Sequence, residues 1–144
     1  MTNENLPIED LKEEFVFPSI LNRIQALFFD FGIVLAIVIC ISMTLLDTFS
    51  APLLGLKISL FFIILFIYEP FMSATGGTIG HRTMGMTIRQ FENPRRKLSI
   101  TQAYFRAVFK LALGWMSFLS VSFDPFRRAM HDKYSGSIIL FTKF

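Results

Sequence analysis

Arg23 and Asp30 stand seven residues apart in a run of apolar side chains that continues through Leu46. On a helix that spacing is nearly two turns, so the two groups share one face about 10 Å apart along the axis. A carboxylate in such a run can bind a proton or a cation, or lock helices together as an ion pair with Arg23, Arg106 or Arg128. Glu69, near the end of the next apolar run, is a further candidate acid, and an ion pair with the basic loop at 82–97 explains it equally well. His131 beside Asp132 offers half of a proton relay, or an interfacial ring that reports pH weakly. With two histidines, one cysteine and no HxxxH spacing, no metal site is expected, nor any cofactor. No nucleophile stands with a base and an orienting partner, so an enzyme is not expected.

The element that carries Arg23 and Asp30 must be a membrane helix. From Asp30 the chain reads Asp-Phe-Gly-Ile-Val-Leu-Ala-Ile-Val-Ile-Cys, apolar on every face and long enough to span. A charged residue at a helix centre costs about 2.5–3.5 kcal/mol on insertion, and each Leu, Ile, Phe or Val returns about 0.3–0.6. The aliphatic stretch after Asp30 offsets the carboxylate. Gly32, Ala36 and Cys40 recur every four residues on roughly the opposite face, a strip on which another helix can pack closely. Cys40 reads as a small buried side chain, and as the only cysteine it forms no intrachain disulfide.

Composition agrees with a membrane protein. The 144 residues are 53% hydrophobic and 17% charged, with 18 phenylalanines and one tryptophan, against about 45–50% and 25% in soluble domains. The net charge of +3 hides an acidic lead-in at residues 1–18 and a strongly basic stretch at 76–110. The acidic start is unlike a cleavable signal peptide. Beside membrane helices the basic stretch marks the cytoplasmic side rather than nucleic acid, with anionic lipid as a minor partner. The expected orientation has the N-terminus and residues 76–101 inside and a short turn at 47–52 outside.

The expected architecture is an all-α polytopic membrane protein, with a lead-in over 1–18 and a membrane domain over 19–144. Its helices cover about 19–46, 52–73 and 100–123. Ser19 is the expected N-cap of the first, and Ser99-Ile100-Thr101-Gln102 is a capping box for the third. The uncharged part of the third helix, Leu111–Phe123, covers about 20 Å, short of the roughly 30 Å hydrocarbon core. A re-entrant hairpin bent near Gly114 is therefore favoured, with a full span lengthened by snorkelling of Arg106 and Lys110 as the alternative. Short strands are expected at 86–91 and 137–141, able to pair only if both lie on one side of the membrane. Gly80-x4-Gly85-Met86-Thr87 nearly matches a phosphate-binding loop, but methionine replaces the required lysine and no strand precedes it.

In their order these pieces resemble the RDD family of bacterial membrane proteins. The matching segments are Arg23-x2-Ala26-x3-Asp30, Thr78-Ile79-Gly80 to Gly85, Arg106, and Arg128-Ala129-Met130-His131-Asp132-Lys133. The resemblance implies a charged centre of Arg23, Asp30 and Asp132 in the bacterial cytoplasmic membrane. Cation–proton exchange has been proposed for some members. His81-Arg82 and Ser135-Gly136-Ser137 depart from the usual family pattern. The expected function is a small membrane protein linked to ion, proton or solute transport through intramembrane carboxylates. The alternative is a structural or accessory module docking a membrane protein partner or a second copy of itself.

Overall fold

The computed structural model describes residues 15–45 and 54–142. Most of the acidic lead-in and the turn expected at 47–52 lie outside the described residues. Helix α1, Ile20–Leu45, begins where Ser19 Oγ accepts the Asn22 N–H at 3.4 Å. Its buried positions are Arg23, Ala26, Asp30, Val34, Val38 and Ser42, spaced three or four apart and so forming one inward stripe. Phe28, Phe29, Leu35 and Ile39 on the other faces are exposed, as lipid-facing side chains would be. Helix α2, Leu54–Ala74, packs on α1 with the Phe31 and Phe61 rings 5.4 Å apart.

Gly76 (φ +118°) and Gly77 (φ +136°) turn the chain after α2 into a five-residue helix, α3, Ile79–Thr83. Thr78 caps α3 by accepting the His81 N–H. Strand β1, Met86–Gln90, then pairs antiparallel with β2, Ser137–Phe141, in the register Met86–Phe141 and Ile88–Ile139. The sequence-based strand pairing is therefore present, and the fold is mostly helical with one small sheet. Met86, Ile88 and Ile139 pack with Ala26, Leu98 and Ala103, which fixes the sheet against the first helix.

Helix α4, Ile100–Leu113, starts at the Ser99–Gln102 capping box, with both reciprocal bonds made. The helical segment expected over 100–123 breaks at Gly114, where the bend was expected. There φ is +53° and ψ −137°, which is not a helical backbone and favours glycine. A 3₁₀ helix, Gly114–Ser122, follows, and then a short helix α5, Met130–Ser135, which packs along α4. Among the described residues, three segments are long and apolar enough to cross a membrane: Ile20–Met43, Gly55–Ala74 and Ile100–Ser122.

Gly32, Ala36 and Cys40 are exposed, and a Cβ added to Gly32 would meet nothing within 4 Å. Among the described residues no helix covers this strip, and Cys40 is not buried as expected. The reason is rotational: α2 and α3 pack on the Asp30 side of α1, leaving the opposite side open.

Candidate functional site

Arg23 and Asp30 share a face but not a bond. Each is the anchor of a separate polar centre, and the elements that fill in around them come from distant parts of the chain.

Arg23 lies at the first turn of α1 and is only 2% exposed, so it does not reach out to an interface. Its Nη1 donates to Asp132 Oδ2, and its Nη2 donates to the Arg127 carbonyl, both at 2.5 Å. Arg127 holds a left-handed backbone (φ +51°) where its carbonyl meets Arg23. Arg106 on α4 approaches the other carboxylate oxygen, with Nε 3.2 Å from Asp132 Oδ1. Ser137 Oγ and the Ala129 N–H also donate to Asp132. The carboxylate is thus shared by two guanidinium groups and two further donors, all buried. Burial pushes the Asp132 carboxyl up, but Arg106 and then Arg23 outweigh it and hold it well below the usual carboxylate range.

His131 is buried beside this cluster rather than interfacial. Its Nδ1 lies 2.9 Å from Ser117 Oγ and its Nε2 3.5 Å from Asp132 Oδ1. Burial, reinforced by Arg106, Lys110 and Arg23 against the pull of Asp132, lowers it to about 3. Ser117 meets the ring of His131, and Asp132 lies beyond the other ring nitrogen. The adjoining void is only about 10 Å³, room for about one water, and Asp132 is committed to two arginines.

Asp30 forms the second centre. Oδ1 accepts from the Tyr68 hydroxyl at 3.0 Å and the Gly80 N–H at 2.8 Å, and Oδ2 accepts from the Thr78 hydroxyl. No arginine takes part: the expected ion pair with Arg23, Arg106 or Arg128 is replaced by neutral donors. The reason is that the loop after α2 folds back onto α1. Gly80 packs so closely that an added Cβ would overlap the Ala26 carbonyl oxygen and lie 2.9 Å from Asp30 Cγ. The resemblance's Arg23-x2-Ala26-x3-Asp30 and Thr78-Ile79-Gly80 are therefore two halves of one contact. Gly85, with φ +67°, turns the chain into β1 and lies outside the centre.

His81 Nδ1 lies 2.5 Å from Thr78 Oγ1 and 3.9 Å from Asp30 Oδ2. Burial, then Arg106, Lys110 and Arg23, push His81 well below its ordinary value. It is therefore neutral near pH 7 and supplies no counter-charge. Thr78 bridges the two groups, since one hydroxyl can donate to Asp30 while accepting from His81.

The remaining candidates lie elsewhere. Glu69 pairs with Lys110 at 2.6 Å, a residue of α4 rather than of the basic loop. Arg128 joins neither centre: its guanidinium lies 3.7 Å over the Phe91 ring and 3.7 Å from Asp124. Tyr68 and Ser117 carried no sequence signal, and Ser137 was assigned no role beyond its departure from the family pattern. A tyrosine or serine in an apolar run carries no periodic signal, and only the position of its neighbour in space gives it a role.

The two histidines make a pH prediction. Both have folded values below the unfolded value of about 6.5, so below that pH the unfolded chain binds more protons. Stability should be fully present above pH 6.5 and fall with pH below it, for His131 down to about 3. Each histidine contributes up to about 1.4 kcal/mol per pH unit. Denaturant titrations at pH 7.5, 6.0 and 5.0 should show this slope, and His131→Gln should roughly halve it. Equal stability at pH 7.5 and 5.0 would contradict the burial of both rings.

No curated protein and no solved structure matches the chain. A family model described as the RDD family matches residues 17–136. That span contains the three apolar segments and every residue of the two polar centres except Ser137. The chain belongs to the RDD family, a family of membrane proteins.

Proposed function

We propose that this protein is a multi-pass protein of the bacterial cytoplasmic membrane, linked to transport, in which Asp30 is the exchangeable proton- or cation-binding carboxylate. Its role is non-enzymatic. The observation that carries this reading is the pairing pattern: Asp132 is neutralised by Arg23 and Arg106, whereas Asp30 is buried among neutral donors. A charge without a counter-ion inside a membrane helix is the one that a proton or cation can relieve. Asp132 thereby drops out as a second exchangeable group and becomes the lock of the fold.

In this reading the third apolar segment re-enters. Phe118 lines the same small void as Arg106 and Lys110, and its ring lies 5.4 Å from that of His131. A continuous helix would carry Phe118 about 18 Å beyond Arg106 along the axis. The return brings β2 back to β1 and keeps the basic loop, the N-terminus and the C-terminus on the cytoplasmic side. A cysteine appended after Phe144 in a Cys40→Ser background should be labelled only by a membrane-permeant thiol reagent in intact cells. Labelling by an impermeant reagent would place the C-terminus outside and reject the hairpin.

Cation-driven proton flux in proteoliposomes is the test of function. Asp30→Asn should abolish it while the protein still reconstitutes as the parent does. Unchanged flux in that variant would remove Asp30 from the role. The accessory reading draws on a different observation, the exposed strip of Gly32, Ala36 and Cys40. Under that reading Gly32→Leu breaks co-purification of a membrane partner or a second copy, and flux is absent throughout.

A further inference from the structure

We propose that the cavity in front of Asp30 is a binding site for an amphiphilic organic cation, drawn from the lipid phase with its charge toward Asp30 and its apolar part among the helices. This names the ligand class of the site proposed above and rests on the reading of Asp30 as the unneutralised carboxylate.

The cavity lies between α1, α2 and the bend at Gly114, with a volume of about 440 Å³. That is within the roughly 300–1,000 Å³ of small-molecule sites, which are likewise mainly apolar with a few placed polar groups. Ile24, Phe28, Leu65, Trp115 and Leu119 contribute its apolar walls. Its polar lining is Asp30, Tyr68, Thr78 and the Glu69–Lys110 pair. An inorganic cation uses only this polar end and leaves the apolar volume without a role. A molecule with both a cationic head and an apolar body matches both.

Charge decides the sign of the ligand. Lys110 is the positive group facing the cavity, and its Nζ is 2.6 Å from Glu69 Oε1, so that pair is internally balanced. Asp30 receives bonds from Tyr68, Thr78 and Gly80, which orient its oxygens without cancelling its charge. The net charge presented to a ligand is therefore negative. Phe28, Phe31, Tyr68 and Trp115 add aromatic rings to the lining, and aromatic rings attract quaternary ammonium or phosphonium groups once water is excluded. Exposure of Phe28, Phe31 and Trp115 on the outside of the helices opens the lipid phase as the route of access.

Trp115 is the only tryptophan in the chain and lines the cavity, so its emission reports occupancy directly. The experiment titrates the full-length protein, in nanodiscs of zwitterionic lipid, with tetraphenylphosphonium and, separately, with tetraphenylborate. The two probes share size and shape and differ in charge. Saturable change with the cation alone, weakened at least tenfold by Asp30→Asn and retained by Asp30→Glu, is the expected result. Leu65→Phe, which narrows the cavity without touching the carboxylate, should weaken binding several-fold and serves if Asp30→Asn does not fold. Equal responses to both probes, or parent-like affinity in Asp30→Asn, would overturn the proposal. Asp30-dependent proton flux without phosphonium binding would overturn the ligand class alone. Asp30-dependent phosphonium binding without any flux would support the site and overturn transport.

Discussion

Asp132→Ala is expected to destabilise the protein by about 3–5 kcal/mol, the cost of leaving a buried ion cluster without its central partner. Asp132 is fully buried and touches Arg23, Arg106, Ser137 and the Ala129 N–H. Its removal strands two guanidinium groups that are each only 2% exposed. Asp132→Asn keeps an acceptor for Arg23 and loses the charge, so its cost should be intermediate. Replacing all three charges together, as Arg23→Leu, Arg106→Met and Asp132→Leu, should recover part of the loss, because apolar residues of similar volume need no counter-charge. Denaturant titration of the purified protein measures all three. An Asp132→Ala variant within 1 kcal/mol of the parent would show that the cluster does not lock the helices.

Gly80→Ala should damage the other centre by a steric route. The methyl group would collide with the Ala26 carbonyl and crowd Asp30 Cγ, so α3 must move away from α1. Overpacking of this kind costs about 1–3 kcal/mol, and here it also withdraws the Gly80 N–H from Asp30. Both stability and any Asp30-dependent flux should fall. Gly32→Ala is the control: its added Cβ meets open space, and alanine is the better helix former by about 1 kcal/mol. It should leave stability equal or raised. If Gly80→Ala behaves like Gly32→Ala, the close approach of the loop to the first helix is not what orders Asp30.

The same contrast explains what could be read before any coordinates. The span holding Asp30, the Ser99–Gln102 capping box and the strands near Met86 and Ser137 were legible because hydropathy, capping and alternation are local patterns. Gly114 was legible as a bend for the same reason. The division of the third segment into an α-helix and a 3₁₀ helix was not, because both are apolar and of similar composition. Family resemblance named Arg23, Asp30 and Asp132 as one charged set, and helical spacing placed the first two on one face. Neither could assign partners.

Sequence by itself determined that Arg23 and Asp30 enter the bilayer on one helix and point the same way. Only the tertiary structure decided that Arg23 reaches across 109 positions to Asp132, while Asp30 reaches 38 to Tyr68 and 48 to Thr78. Coulomb attraction alone would have joined the two neighbours on α1. Along the helix they are about 10 Å apart, too far for an ion pair. Packing brings Asp132 against Arg23 from α5 and folds the Gly80 loop over Asp30. One carboxylate is thereby neutralised within the fold and the other is held by neutral donors.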